Sequence, residues 1–193
     1  MIIGIASHKG GVGKTTTAIH LSAILSKRAP TLLIDGDANR SALAYSRRGE
    51  LPFKVVDEKA AARYTRDFEN IVIDTAAHPS KSDLAAMVEG CDRLIVVCEP
   101  EIMSLDVLPT MLDDLAKLGS EKHRVLLCQV SPRSEAVEAR AVLEQLNAPT
   151  FKRHIRAYAV YKLAATRGTT VDHVTDDYAG EAWSDYLAIM KEL

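Results

Sequence analysis

Apolar residues along this chain fall into two alternating patterns. One is a short, continuous apolar run rich in β-branched residues, which predicts strands covered on both faces of a parallel sheet. The other is an amphipathic segment with helical spacing. The predicted strands span Met1–Ser7, Thr31–Asp35, Phe53–Val56 as a weaker run, Asn70–Asp74, Arg93–Cys98 and Arg124–Val130. The alternation predicts an α/β fold, with a mostly parallel sheet sandwiched between two helix layers.

The amphipathic segments predict the helices. They span Lys14–Ser26, Arg40–Arg47, Ser82–Glu89, Leu105–Leu118 and Ser134–Leu146. A last helix is predicted over Glu181–Leu193, and we interpret its side bearing Trp183, Leu187 and Met190 as core packing. No internal repeat or linker interrupts the pattern, so residues 1–193 are predicted to form one domain, large enough for a real core.

Acidic residues stand where two of the predicted strands end. The second strand runs into Asp35-Gly36-Asp37, and the strand that starts at Asn70 ends in Asp74. Ligands of such sheets bind beyond the carboxyl ends of the strands, so these side chains are expected to converge on one edge. The first strand reaches the same edge and runs into a glycine-rich segment. This edge is therefore the predicted functional site.

The glycine-rich segment carries a phosphate-binding pattern. It reads Lys9-Gly10-Gly11-Val12-Gly13-Lys14-Thr15-Thr16 and opens the first predicted helix. Such a turn points several backbone N–H groups and the positive end of the helix dipole at one place, which suits the phosphate chain of a nucleotide. The strict Walker A pattern is not met, since His8 stands where its first glycine would be. The order of strand, turn, Gly-Lys-Thr and helix nevertheless favours nucleotide binding over a turn that binds nothing.

Phosphate and magnesium contacts are predicted around this loop. Lys14 would neutralise the β- and γ-phosphates, and Thr16 is placed to bond the α-phosphate. Thr15 is placed to bind Mg²⁺ directly, while Asp74 matches the Walker B aspartate and would hold the ion largely through water. Asp35 is predicted to lie near the metal shell.

Two further residues are candidates for catalysis. Phosphoryl transfer to water needs a side chain that orients the water, and we assign this role to Asp37; the competing interpretation is an ordinary turn aspartate. Lys9 is harder to explain within one subunit, because Lys14 already occupies the phosphate contact. It is placed to reach the nucleotide of a second subunit, so that two ATP molecules would lie between the subunits. The alternative is a surface lysine.

Together these motifs resemble the deviant Walker ATPases of the ParA/MinD group. The resemblance rests on the loop from Lys9 to Thr16, on Leu32–Asp37 and on Ile71–Thr75, in the same order and spacing. It implies a Rossmann-like P-loop sheet with ATP and Mg²⁺ as cofactors. It also implies that Lys9 is the signature lysine of an ATP-dependent homodimer and that Asp37 is the hydrolytic aspartate.

Departures from the family pattern bear on which member this is. Ala38-Asn39 stands where the family usually has Pro-Gln, and Ala76-Ala77 stands where it often has two prolines. The last helix lacks the basic face with which MinD-like members are implied to bind membrane, and no run approaches the ~20 apolar residues of a membrane span. The three cysteines show no metal-binding spacing, so we interpret them as buried thiols rather than cluster ligands.

Charge is distributed unevenly, although the formal net charge is only −2. From Gln145 to Val171 there is no acidic residue, and the basic residues of this strip are Lys152, Arg153, Arg156, Lys162 and Arg167. We predict that the strip contacts DNA phosphates, which carry no sequence information. The alternatives are a solvated face or ion pairs across a dimer interface.

Three functional hypotheses follow. The resemblance to short ParA-type members favours a cytoplasmic, nucleoid-associated ATPase that dimerises on ATP, binds non-specific DNA and positions a plasmid, a chromosome or a protein compartment such as the carboxysome. A cargo-bound adaptor protein would stimulate its hydrolysis. The second hypothesis is a metabolic ATP-dependent synthetase acting on a small carboxylic substrate, and the third is a nucleotide-gated binding module with negligible turnover. The segment from Gln129 to Arg133 is a candidate for lining the adenine, by its placement after a strand end.

Overall fold

The structure of the protein, a computed structural model, describes residues 1–131 and 133–193. The strands are β1 Ile2–Ser7, β2 Thr31–Asp35, β3 Lys54–Asp57, β4 Asn70–Ala77, β5 Arg93–Cys98 and β6 His123–Leu127. They form a six-stranded sheet in the order β3-β2-β4-β1-β5-β6, and all neighbouring strands are parallel. The predicted parallel α/β fold is confirmed.

Helices connect the strands and cover both faces of the sheet. They are α1 Lys14–Ser26, α2 Ser41–Ser46, α3 Glu58–Ala61, α4 Lys81–Gly90, α5 Ile102–Lys117, α6 Arg133–Gln145, α7 Val160–Arg167 and α8 Ala179–Met190. Short 3₁₀ turns lie at Thr65–Asp67 and Val171–His173.

Strand β5 illustrates why the apolar runs are continuous. Its residues Ile95 and Val97 pack into the layer formed with α1 and α8. The alternate residues Leu94 and Val96 pack into the opposite layer, formed with α4, α5 and α6. A strand buried on both faces needs apolar side chains at every position, and this produces the run that predicted it.

Helix α1 is buried on almost every side, between the sheet and α8. Its sequence allows this, because apolar residues such as Ile19 and Leu21 alternate with the small or hydrogen-bonded polar residues Thr17, His20 and Ser22. The preceding strand β1 lies in the middle of the sheet. The glycine-rich loop between β1 and α1 is therefore held at both ends by buried elements.

Helix α8 corrects one detail of the predicted core. It buries Ala182, Tyr186, Ile189 and Met190, whereas Leu187 remains 37% exposed. Residues 182, 186 and 189 follow the helical spacing of the buried side, and Leu187 lies off that side. The prediction that Leu187 packs in the core is therefore wrong, while Met190 is buried and Trp183 packs partly against the core.

Helix α7 was not predicted from the sequence. It has only two turns, and its buried residues are Val160 and Ala164, which is too short a pattern to stand out. It ends at Gly168, whose φ of 63° is the left-handed conformation that commonly follows a helix.

The structure also bears on the cysteines and on the length of the apolar helices. The cysteines at positions 91, 98 and 128 are free and buried, as predicted. Within residues 1–131 and 133–193, no helix combines the length and the apolar character needed to cross a bilayer.

Candidate nucleotide-binding site

The glycine-rich loop has the backbone that an anion site requires. Gly11 and Gly13 have φ angles of 83° and 101°, a region that residues with a Cβ rarely adopt. Gly13 is also the N-cap of α1, and no side chain caps the helix there. The first backbone N–H groups of α1 thus remain without a side-chain acceptor at the mouth of the loop, where a phosphate is stabilised.

Lys14 is the first residue of α1, and its side chain lies in the protein interior. It is 6% exposed, and its Nζ donates a hydrogen bond of 3.0 Å to the hydroxyl of Ser7. Burial lowers the pKa of Lys14, while the nearby carboxylates of Asp74 and Asp37 oppose that shift. A buried ammonium with a neutral hydroxyl as its hydrogen-bond partner is suited to receiving an anion.

Thr15 and Asp74 meet at the centre of the site. The Thr15 hydroxyl donates a hydrogen bond of 2.7 Å to Asp74 Oδ2, and the other oxygen, Oδ1, is buried without a hydrogen-bond partner among the described residues. Burial, reinforced by neighbouring Asp35, raises the pKa of Asp74 to about 7. A hard cation would satisfy the unpaired oxygen and stabilise the carboxylate, so these donors fit Mg²⁺.

Asp35 has a different environment from the one predicted. It is fully buried, and its two carboxylate oxygens accept backbone N–H groups, Oδ1 from Asp37 at 3.1 Å and Oδ2 from Leu43 at 2.9 Å. Its carbonyl oxygen accepts a hydrogen bond of 2.6 Å from the side chain of Arg40. Asp35 therefore fixes the turn after β2 and the start of α2. Asp35 also neighbours Asp74 in the sheet, so its place near the metal shell stays a prediction.

Asp37 lies in that turn and faces the phosphate side of the loop. Its Oδ1 accepts the Asn39 N–H at 2.8 Å. A cavity of about 470 Å³ brings it together with Lys14, Thr15 and Ala76. The structure thus places the three predicted phosphate-side groups around a single space.

Lys9 has partners that the sequence did not indicate. Its Nζ lies 2.9 Å from Glu99 Oε2 and 2.9 Å from Glu101 Oε2, at the end of β5 and the start of α5. Hydrogen bonds to these two carboxylates raise the pKa of Lys9. Gln129 completes the arrangement, since its Nε2 donates to Glu99 Oε1 at 2.8 Å and to the Gly11 carbonyl oxygen at 2.7 Å. In this conformation Lys9 is directed at its own chain.

A second cavity, of about 450 Å³, adjoins the first. Gly11, Gly13 and Thr16 line both spaces. The remaining lining residues are Cys128, Gln129, Ile155, Arg156, Ala157, Tyr158, Ala159, Tyr161, Lys162, Ala165 and Tyr186. Gln129 was a predicted base-lining residue, whereas Pro132 of that same segment lies outside the described residues. Most of the wall comes from residues 155–162, which the sequence analysis did not assign to the base.

The comparisons with known proteins agree with this geometry. The sequence profile of the CobQ/CobB/MinD/ParA nucleotide binding domain matches residues 3–171. The chain belongs to this family. It is 34% identical over 201 residues to "Maintenance of carboxysome distribution protein A" from Gloeobacter kilaueensis, covering 100% of this chain and 93% of the relative.

Solved structures of the family share the fold. The ATP complex of a McdA variant from Cyanothece superposes with a TM-score of 0.77 at 18% identity, covering 98% of this chain and 95% of that one. The MinC:MinD cell division protein complex of Aquifex aeolicus gives a TM-score of 0.78 at 18% identity, over 100% of this chain and 96% of that one.

Behind the loop, this member of the family joins α1 to its C-terminal region through polar contacts. His20 is fully buried, its Nδ1–H donates to the Thr16 carbonyl oxygen at 2.7 Å, and its Nε2 accepts the Val171 N–H at 3.3 Å. Burial lowers the pKa of His20 to about 4, so the ring is neutral. The Thr17 hydroxyl lies 3.2 Å from that of Tyr186. The first turn of α1 is thereby coupled to the wall of the second cavity.

The members of the predicted basic strip have different surroundings in the structure. Arg156 is committed within the chain: its Nη2 lies 2.8 Å from Asp185 Oδ1, and its Nη1 lies 3.1 Å from Glu181 Oε2. Hydrogen bonds to Asp185 hold the pKa of Arg156 above its usual range. Since its guanidinium already has two carboxylate partners on α8, DNA would have to compete with both of them, and the contact of Arg156 with DNA stays a prediction. These ion pairs are also within one chain and not across a dimer.

The remaining members of the strip separate into two places. Lys152 and Arg153 are exposed, and their backbone N–H groups donate to Glu192 after the end of α8 at 2.8 and 3.1 Å. Lys162 and Arg167 are exposed on α7.

Proposed function

We propose that this protein is an ATPase that dimerises on ATP, binds DNA without sequence preference and positions a cargo, with hydrolysis stimulated by a cargo-bound partner. The observation that carries the proposal is the pair of adjoining cavities. One holds the buried ammonium of Lys14 and the Thr15 hydroxyl, and the other has aromatic and aliphatic walls. A nucleotide with its phosphates in the first cavity and its base in the second would fill both.

The roles of the chain's own residues in ATP hydrolysis follow from their positions. Lys14 would bind the β- and γ-phosphates, and the N–H groups of the loop would bind the phosphate chain. Thr15 and Asp74 would hold Mg²⁺, which when bound would neutralise charge on the phosphate oxygens. Asp37 would orient the attacking water beside the terminal phosphate.

We propose that Lys9 acts across the dimer. To do so it must leave Glu99 and Glu101 and contact the nucleotide of the second subunit. The ion pairs are partly exposed, with 35% of the Lys9 side chain accessible, so water and phosphate can compete for the lysine. Directly after Glu101, Ile102 and Met103 are 76% and 74% exposed, which is consistent with a surface that a second copy covers.

The cargo is proposed from the relatives. The Gloeobacter kilaueensis relative and a second one from Halothiobacillus neapolitanus, 27% identical over 188 residues, are both named for carboxysome distribution. We therefore propose a protein compartment of this kind as the cargo and a compartment-bound adaptor as the partner. The synthetase hypothesis is not favoured, because both of these relatives are named for carboxysome distribution and not for biosynthesis.

The proposal is tested by a mobility-shift assay on several unrelated DNA duplexes, run once with Mg-ATP and once with Mg-ADP. We expect a shift with ATP that is independent of sequence and absent with ADP. Calorimetry with Mg-ATP and phosphate release with and without a candidate adaptor accompany the assay. No heat with Mg-ATP would refute nucleotide binding, and no shift on any duplex would refute the DNA-binding part. Phosphate release that stays negligible with every adaptor would favour a nucleotide-gated binding module.

A further inference from the structure

The backbones that follow α2 and α7 touch through two glycines. A Cβ atom on Gly49 would lie 2.3 Å from the carbonyl oxygen of Arg167, and one on Gly168 would lie 2.3 Å from the backbone nitrogen of Gly49. Neither position accepts a larger residue unless the two backbones move apart. The Tyr45 hydroxyl of α2 also donates a hydrogen bond of 2.6 Å to the Thr169 carbonyl oxygen. Helices α2 and α7 are thus joined at their C-terminal ends.

This contact gathers basic residues from both elements, and we call the result the α2–α7 basic surface. Its members are Arg47, Arg48, Lys162 and Arg167, all of them exposed. Arg48 reaches across the contact, since its Nη1 donates to the Ala165 carbonyl oxygen in the last turn of α7 at 3.3 Å. Among residues 1–131 and 133–193, none of the four side chains forms an ion pair with a carboxylate.

Several other cations of this chain are neutralised by their neighbours. Arg156 is paired with Asp185, and Lys27 is paired with Asp172 at 3.0 Å. The α2–α7 basic surface differs because few acidic residues are close to it in sequence. Glu50 follows its arginine pair, and no acidic residue occurs from Gln145 to Val171. Unneutralised guanidinium groups at an exposed position are suited to phosphate oxygens, which they bind in a bidentate manner.

Both elements of this surface begin at the nucleotide site. The start of α2 is fixed by the hydrogen bond from the Leu43 N–H to Asp35, in the turn that carries Asp37. The first turn of α7 lines the second cavity through Tyr161 and Lys162. Arg47, Arg48 and Arg167 therefore lie at the ends of these two helices that face away from the nucleotide site, whereas Lys162 lies at the nucleotide end of α7.

We propose that this protein binds the phosphate backbone of double-stranded DNA through the α2–α7 basic surface, with Arg47, Arg48 and Arg167 as its principal contacts. The inference rests on the proposed function and reassigns its DNA contacts. Lys152 and Arg153, which the sequence placed in the same strip, lie beside the end of α8 and are not part of this surface. The contacts are to phosphates, so binding should be insensitive to sequence and sensitive to salt.

Fluorescence anisotropy with a labelled duplex and Mg-ATP, over a range of salt concentrations, tests this assignment. The test variant is Arg47→Ala/Arg167→Ala, because both side chains are exposed and, within residues 1–131 and 133–193, neither makes a hydrogen bond, unlike Arg48. We expect at least a tenfold loss of affinity, about the same for every duplex sequence, and a salt slope that is shallower by about 1 per lost phosphate contact. The charge-preserving variant Arg47→Lys/Arg167→Lys should recover most of the affinity.

Two matched variants and one further probe make the result decisive. Arg63→Ala/Arg66→Ala removes two exposed arginines beside α3, among the acidic residues Glu58 and Asp67, and should bind like the wild type. If instead Lys152→Ala/Arg153→Ala loses affinity while Arg47→Ala/Arg167→Ala does not, the assignment is wrong although the proposed function stands. If the wild-type protein binds Mg-ATP in calorimetry but binds no duplex, the assignment and the DNA-binding part of the function both fall. Co-sedimentation with anionic phospholipid vesicles that depends on Arg47 and Arg167, without duplex binding, would assign the surface to lipid and overturn the proposal.

Discussion

Lys14 and Lys9 lie on the same loop, yet the structure holds them in opposite ways. Lys14 is buried, and its ammonium donates to a neutral hydroxyl, that of Ser7. Lys9 is partly exposed and already contacts two carboxylates. The pKa of Lys14 is lowered by burial, whereas that of Lys9 is raised by its hydrogen bonds to Glu99 and Glu101.

The difference separates a prepared side of the site from one that must rearrange. On the side of Lys14, Thr15 and Asp74, a nucleotide with Mg²⁺ would fill an existing space. Its phosphates would pair with the ammonium of Lys14, and the cation would pair with the carboxylate of Asp74. On the side of Lys9, the proposed contact with the nucleotide of a second subunit would first have to displace two ion pairs. Binding of the nucleotide and formation of the dimer are therefore expected to be separable by mutation.

The strongest test of the prepared side is Lys14→Ala. Without this cation the phosphate chain loses its buried ammonium partner and lies near the carboxylates of Asp37 and Asp74, so we expect at least about a 100-fold loss of Mg-ATP affinity in calorimetry. Lys117→Ala, an exposed lysine paired with Asp113, is the control and should bind normally. Unchanged affinity of Lys14→Ala would show that the buried lysine is structural.

Asp37→Ala should separate turnover from assembly. We expect phosphate release to fall by about 100-fold, because the attacking water loses its orienting carboxylate. The ATP-bound dimer should persist and accumulate in size-exclusion chromatography with light scattering. An active Asp37→Ala protein would transfer the water-orienting role to another residue.

The burial of Asp74 predicts a pH dependence of the metal-free protein. Its pKa of about 7 in the fold lies above the ordinary 3.8, so the native state binds this proton more tightly than the unfolded state. The associated stability is complete below pH 4 and is lost as the pH rises through about 7. Asp74→Asn should therefore be more stable than the wild type at pH 8, by up to about 4 kcal/mol, and similar to it near pH 4.

Urea denaturation with EDTA present, at both pH values, measures this difference. Asp106→Asn, an exposed aspartate on α5, is the control for loss of a carboxylate. An Asp74→Asn variant whose stability follows the same pH profile as the wild type would mean that Asp74 is already ionised in the metal-free protein.

The smallest expected effect concerns the ion pairs of Lys9. Glu99→Gln/Glu101→Gln removes both negative charges, so Lys9 should be released. The dimer should then form at an ATP concentration about twofold to fivefold lower. Analytical ultracentrifugation across an ATP titration measures the shift. Lys9→Ala is the matched variant and should bind ATP as a monomer. A normal dimer of Lys9→Ala would refute the cross-subunit role.

The sequence predicted the parts of the protein that local patterns determine. Strands buried on both faces, the glycine-rich loop and Asp74 after the apolar run of β4 each leave a signal within a few neighbouring residues. The environment of Asp35 could not be read in this way, because a carboxylate next to the loop has the same sequence whether it binds metal or accepts the N–H groups of Asp37 and Leu43.

The contacts that the sequence missed join distant segments. Lys9 and Glu99 are separated by 90 positions, and Arg156 and Asp185 by 29. The strip from Lys152 to Arg167 looked continuous because charge was counted along the chain, whereas the fold sends its two ends to different places. The arginine pair at positions 47 and 48 gave no signal, since the contact that brings the backbone after it to that of Arg167 joins segments more than 100 positions apart.

The contact between Gly49 and Gly168 shows that an exposed residue need not tolerate substitution. Gly49 is exposed, far from the loop in sequence, and has an ordinary φ. By exposure and backbone conformation alone, the position should accept any residue. Its α-carbon nevertheless faces the backbone of Arg167 too closely for even a methyl group. An alanine at position 49 would therefore be unfavourable although it lies outside the active centre, because its methyl group would force the segments after α2 and α7 apart.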